Sequence, residues 1–275
     1  MREATAPAKS AIYAAVVTAF LALSASAASA EDANAAAWAS IRKDTYGARE
    51  ILDAGDKITL DAPIRAEDAS VVPLTIKMPA GFAGDVKALT VIVDMNPSPI
   101  VGAFTYGPAA GKGERMLSTR VRIDQYSDVR AIAETTDGKL YMVSRFVKAS
   151  GGCSAPASKD SEEAAKTLGK MQIKTALKRN TDGLAQEAQV MIKHPNNSGL
   201  AMDQLTGLYA PAHFVNKIEV KSGSKLVFAM EGGISISENP NFRFSYEGAP
   251  ADPMEVTAED SEGGKFAGRS SPSQS

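Results

Sequence analysis

Leu117-Ser118-Thr119-Arg120-Val121-Arg122-Ile123 is the stretch that decides the fold class. Leu117, Thr119, Val121 and Ile123 recur at alternate positions, with Ser118, Arg120 and Arg122 between them. Successive side chains of a strand point to opposite faces, so this alternation predicts a half-buried β-strand with Arg122 on the outer side. Val71 to Met78, Ala88 to Val93 and Val101 to Tyr106 read as further strands on the same grounds. Asp137-Gly138 lies between the runs Val129 to Thr135 and Leu140 to Val147, and a tight hairpin turn requires residues that tolerate positive φ. These segments close a first β domain over 31–148, preceded within it by a short helical stretch around Trp38 and Tyr46.

The pattern stops at Ala149. Gly151-Gly152-Cys153-Ser154-Ala155-Pro156 is small and glycine-rich, and Asp160 to Lys166 is charged, so 149–169 reads as a linker arm, with a brief helix near Glu162 and Lys166. Strand rhythm returns over 170–262. It runs through Ile173, Thr175 and Leu177, then Ala188, Val190 and Ile192, then Phe214, Ile218 and Val220. Beyond the Ser222-Gly223 turn come Leu226, Phe228 and Met230, then Phe242, Phe244 and Tyr246, and a closing strand at Val256 and Ala258. Alternation puts the three aromatics on one face, which predicts a core role for them. Residues 263–275 are poor in apolar side chains and read as a mobile tail. The expected fold is all-β: two immunoglobulin-like β-sandwich domains joined by a flexible linker that contains Gly-Gly-Cys.

Residues 1–30 stand apart in composition. Arg2 and Lys9 precede an apolar run from Ala11 to Leu23, and Ala28-Ser29-Ala30 supplies the small residues of a cleavage site. The run would span about 20 Å as a helix, short of the roughly 30 Å hydrocarbon core, so a cleaved signal is expected in place of a membrane anchor. The formal charge of −2 gives no basic face for nucleic acid.

Export makes the single cysteine informative, because exported proteins that use cysteine structurally use it in pairs. Gly151 and Gly152 give the chain before Cys153 wide conformational freedom, so an exposed thiol able to enter a partner's active site is expected. Local features leave two readings open, a covalent attachment point and an incidental surface thiol. Metal chemistry is poorly supplied, since His194 and His213 are the only histidines and show no ligand spacing; packing or hydrogen bonding is their expected role. No metal and no cofactor are expected. Hydrolysis would need a base held near the thiol, and nothing local offers one. Asp160, Glu162 and Glu163 read as a hydrated linker face, and Gly111-Lys112-Gly113 lacks the setting of a phosphate loop.

A set of motifs in order carries a resemblance. Ala36-Ala37-Trp38, Asn96-Pro97-Ser98-Pro99, Ser118-Thr119-Arg120-Val121-Arg122 and Gly151-Gly152-Cys153 resemble SoxY. His194-Pro195, Pro211-Ala212-His213-Phe214-Val215-Asn216 and Glu238-Asn239-Pro240 resemble SoxZ. Joined in one chain, they are similar to the fused SoxYZ-like carriers associated with quinoprotein dehydrogenases. The resemblance implies a non-enzymatic periplasmic protein that holds a sulfur intermediate covalently on Cys153, with Gly151 and Gly152 giving the arm its flexibility. It implies as partners sulfur-oxidation enzymes, as in thiosulfate oxidation, or quinoprotein dehydrogenase-associated proteins. The alternative is a non-catalytic interaction module with an incidental thiol. One departure matters. In the SoxY pattern the arm ends the chain as Gly-Gly-Cys-Gly-Gly, whereas here Ser154-Ala155 follows and the chain continues, so the arm is tethered at both ends. From Lys148 the thiol would reach roughly 17 Å at about 3.3 Å per extended residue.

Overall fold

The computed structural model describes residues 32–156, 166–180, 183–202, 207–249 and 251–270. The expected signal over 1–30 and most of the short linker helix lie outside the described residues.

The described residues fall into two units, one ending at Gly47 and the other beginning at Ala48. In the first, residues 32–46 form a helix (α1), longer than the turn or two expected. Its alanines, Ala33, Ala35, Ala36, Ala37 and Ala39, lose no side-chain entropy on folding, which favours helix. Gly47 ends it at φ +61°, donating its N–H to Lys43 O at 3.1 Å.

The second unit is all-β. Its first half holds β1 (Ile51–Asp53), β2 (Thr59–Asp61), β3 (Val72–Met78), a one-turn helix α2 (Ala80–Ala83), β4 (Val86–Val93), β5 (Ile100–Tyr106), β6 (Arg115–Val121), β7 (Ser127–Thr135) and β8 (Leu140–Val147). Its second half holds β9 (Met171–Asn180), β10 (Gly183–Ile192), β11 (Val215–Ser222), β12 (Lys225–Gly232), β13 (Asn241–Tyr246), β14 (Met254–Asp260) and β15 (Lys265–Arg269). The β7–β8 hairpin closes where expected, with Gly138 at φ +84° and its N–H on Thr135 O. Strands β1 and β2, three residues each, are too short to leave a pattern in the sequence.

The expected mobile tail is corrected in part. Residues 265–269 form β15, which pairs antiparallel with β14 from Glu255↔Arg269 to Glu259↔Lys265. Ladder hydrogen bonds hold this strand, and they do not require an apolar sequence. Residues 271–275 lie outside the described residues.

The strands make two sheets, and both run through both halves. One is nine-stranded in the order β1-β8-β7-β4-β5-β12-β11-β14-β15, and the other is six-stranded in the order β2-β3-β6-β13-β10-β9. At the seam β5 pairs antiparallel with β12, setting Phe104 opposite Met230 and Gly102 opposite Gly232, while β13 meets β6 at Arg243↔Ser118 and Phe244↔Leu117. The aromatic strand is core as expected: Phe242, Phe244 and Tyr246 are all buried. Phe104 of the first half stands edge-on to Phe228 at 5.6 Å and to Phe242 at 6.2 Å, both from the second half. One contiguous core therefore extends from Leu74 and Leu89 through Phe104 to Phe228, Val190 and Val256. The chain from Ala48 onward is one body in which the halves share both sheets, beyond the covalent link that the sequence suggests.

Candidate functional site

Cys153 is fully buried, which corrects the expectation of an exposed, free arm. The reason is backbone hydrogen bonding. Gly151 donates to Asp124 O at 2.8 Å and Gly152 to Ile123 O at 2.9 Å, so the arm lies along the segment that follows β6. Gly151 takes φ +79°, and a Cβ on Gly152 would stand 2.1 Å from Ala69 O and 2.6 Å from Ile123 O. The two glycines are thus used for close docking in this state, where the sequence suggested freedom. Residues 157–165 of the linker lie outside the described residues.

The second half completes the enclosure. Ser198 Oγ donates to Cys153 O, and Ser198 itself is buried. Beside it, Asn196 sits at φ +45°, donates Nδ2 to Ile236 O at 3.2 Å and accepts the N–H of Val215 on Oδ1 at 3.0 Å. The Ser198 bond ties this stretch to the arm, and the Asn196 bonds tie it to Ile236 and Val215.

Arg122 joins the two walls. Its Nη1 donates to Gly152 O at 3.0 Å and its Nη2 to Asn196 O at 3.3 Å. Alternation placed this residue outward; instead it is 1% exposed. Strand β6 ends at Val121, and beyond it the Arg122 N–H bonds Ser235 O at 2.8 Å, so the alternation no longer governs its direction. Asn96 braces the same point, with Nδ2 on Arg122 O at 2.7 Å and on Ser235 Oγ at 3.0 Å, and Oδ1 accepting the Asp124 N–H at 2.9 Å.

The electrostatics of this enclosure favour a neutral thiol. Burial pushes the Cys153 thiol up from 9.0 to about 12, the nearby Asp124 adds to the rise, and the Arg122 cation opposes it. Burial also draws the Arg122 guanidinium down, against the pull of Cys153, Glu238 and Asp68. A thiol so held is a poor nucleophile, because the thiolate is the reactive form.

The histidines converge in a way their spacing hides. His213 Nε2 lies 2.8 Å from Asp260 Oδ2 and His194 Nε2 lies 3.5 Å from it; the three ligand atoms fall within 4.8 Å of one another. His194 Nδ1 accepts the Asn196 N–H at 3.0 Å. A neutral imidazole has one N–H and one lone pair, so this bond leaves the proton on Nε2, facing Asp260. A metal on Nε2 would need that position bare, and the trio fits a strut built on the His213–Asp260 hydrogen bond better than a ligand set, with His194 Nε2 buried beside it and without a hydrogen-bond partner among the described residues. Asp260 Oδ1 accepts the N–H groups of Glu262 and Gly264, which anchors the strut to the β14–β15 turn.

The comparisons with known proteins agree with this layout. The family model for sulfur oxidation protein SoxY matches residues 42–153, and that for sulphur oxidation protein SoxZ matches residues 173–271. The chain is a fused SoxYZ-like protein. The SoxY match ends on Cys153 itself. Among solved structures, the sulfur carrier protein SoxY from Chlorobium limicola f thiosulfatophilum is 24% identical, with 44% of this chain and 98% of that chain covered at a TM-score of 0.36. A beta-glycosidase from Bacteroides vulgatus is 8% identical, with 77% of this chain and 24% of that chain covered at a TM-score of 0.24. None of the curated proteins compared matches this chain. The SoxYZ-like assignment places the chain among proteins of sulfur oxidation.

Several residues of the site carried a motif in the sequence but no role. Asn96 and Arg122 stand in SoxY-like stretches, and His194 and Asn239 in SoxZ-like ones. Their joint action needs both halves folded together: Asn239 takes the Arg120 guanidinium on its carbonyl at 3.0 Å and donates its N–H to His194 O at 2.8 Å. Ser198 and Asn196 had no signal beyond lying in a polar loop.

Proposed function

We propose that this protein is a periplasmic covalent carrier that presents a sulfur intermediate on Cys153 to separate oxidising or hydrolytic enzymes. The observation that carries the reading is the coincidence of position: the chain's one thiol is the last residue of the SoxY match and sits where the SoxZ-like half closes over it. No catalytic group is required of the chain itself. The thiol is attached to cargo, and partner enzymes perform the chemistry.

The docked arm defines a resting state. With the thiol buried and neutral, Cys153 is shielded from stray oxidants and disulfides, the hazard of a lone thiol outside the cytoplasm. Loading then requires release of the segment around Gly151-Gly152-Cys153. Because Ala149 and Pro156 continue into folded chain or linker on both sides, release presents a loop to the partner and not a free end. The partners on this reading are sulfur-oxidation enzymes, with quinoprotein dehydrogenase-associated proteins as the branch suggested by the fused arrangement.

Replacing Cys153 with Ser in the producing cell tests the role. Loss of sulfur-compound oxidation, with the variant folded and present at normal abundance, supports the carrier. Full activity of Cys153→Ser would leave only the reading of a β-sandwich interaction module with an incidental thiol.

A further inference from the structure

The buried arginines of this chain differ in how their charge is met. Arg130 is held by Asp94, with Nε and Nη2 both on the carboxylate at 2.7 to 3.0 Å, and by Asp128 at 3.1 Å. Arg115 bonds two carbonyls and lies 4.1 Å from the centre of the Tyr106 ring. Arg122, the more deeply buried of the three, has neither a carboxylate within ion-pair distance among the described residues nor a ring. Its two terminal nitrogens reach carbonyls, and among the described residues its Nε–H is buried with no hydrogen-bond partner, as are those of Arg115 and Arg120; what sets Arg122 apart is that its cation has neither a carboxylate nor a ring beside it. A cation left in that condition is costly unless something anionic completes it.

Position identifies what that is. One of its two carbonyl partners belongs to Gly152, immediately before Cys153, and the other to Asn196 in the loop that covers it. The guanidinium therefore bonds the backbone immediately before the thiol and carries an unused donor. A planar fork of N–H groups suits an oxyanion and has no use for a neutral thioether or methyl group.

We propose that Arg122 is the cargo-binding residue of the carrier, pairing with an anionic terminal group on the sulfur adduct of Cys153. This rests on the carrier reading above and extends it to the charge of the cargo. A sulfonate-terminated adduct is held in the docked arm by Arg122, and a neutral adduct of similar size is not.

The test uses synthetic adducts of the full chain, whose one thiol makes modification site-specific. In denaturant, the Cys153 thiolate attacks an inner sulfur of tetrathionate, forming Cys–S–S–SO3⁻ and expelling thiosulfate with the electron pair of the broken S–S bond. Methyl methanethiosulfonate gives the neutral Cys–S–S–CH3 by the same displacement, expelling methanesulfinate. After refolding, the melting temperatures of the two forms are compared. The sulfonate form of the wild type should melt about 4 °C or more above the methylthio form. That difference should shrink in Arg122→Lys, which keeps the charge and loses the fork, and vanish in Arg122→Met. Equal melting of the two wild-type adducts, or a sulfonate form that melts lower, overturns the assignment even if Arg122→Met does not fold. A full difference in a folded Arg122→Met overturns it as well. Absence of any adduct in cells would defeat the carrier reading and leave this preference standing, so the two failures are distinct.

Discussion

At Cys153 two states of one thiol compete, a docked neutral form and a released form whose pKa is ordinary. Since burial raises the docked value to about 12 from 9.0, the docked state binds the proton more tightly. The stability this contributes is complete below pH about 9 and is lost as pH climbs toward 12, because the released arm ionises first. Alkylation of the native protein should therefore be slow near neutrality and should accelerate with pH more steeply than the thiolate fraction of a free cysteine; a rate equal to that of a free thiol at pH 7 would contradict docking. Gly152→Ala forces a methyl group against Ala69 O and Ile123 O, at a cost of about 1–3 kcal/mol to the docked arm. Alkylation of that variant should be roughly tenfold faster or more, with the fold kept by circular dichroism. Ser198→Ala removes the hydroxyl bond to Cys153 O, worth about 1 kcal/mol, and should raise the rate roughly fivefold. The sequence made Cys153, Gly151 and Gly152 legible as a unit but not their burial. Glycine composition reports which backbone angles are open to a segment, and what the segment packs against comes from chain far away, here Ala69, Ile123 and Ser198.

At the scale of elements, alternation located the longer strands well, because a half-buried strand must write its two faces into the sequence. β3, β5, β8 and the hairpin at Gly138 fall where that pattern puts them. It failed where something else holds the strand. β15 has intermediate or exposed side chains throughout and is held by its ladder to β14, and Arg122 follows the end of β6. The aromatic strand and its neighbours carry much of the core. Phe228 is 1% exposed and stands 5.0 Å from Phe244 and 5.6 Å from Phe104, so Phe228→Ala should lose about 3–5 kcal/mol in denaturant unfolding. A loss under about 1 kcal/mol would mean that this seam is not packed as described.

Over the whole molecule, the two halves are legible in the sequence as two runs of strands separated by a polar arm. Their fusion into common sheets is not, since pairing between β5 and β12 joins residues more than a hundred positions apart and leaves no local mark. The fusion matters for function because the enclosure of Cys153 draws on both halves: Arg122 and Asp124 from the first, Asn196 and Ser198 from the second. Closing of the arm and integrity of the seam are thus coupled. The chain from Ala48 onward should unfold in one calorimetric transition, whereas two well-separated transitions would show the halves to be independent. The central claim, that Cys153 carries cargo, is tested most directly by intact-protein mass spectrometry of the protein recovered from cells actively oxidising a reduced sulfur compound, with Cys153→Ser alongside. A sulfur-containing mass increment confined to the chain with Cys153 is the predicted result, and unmodified protein throughout active metabolism would contradict it.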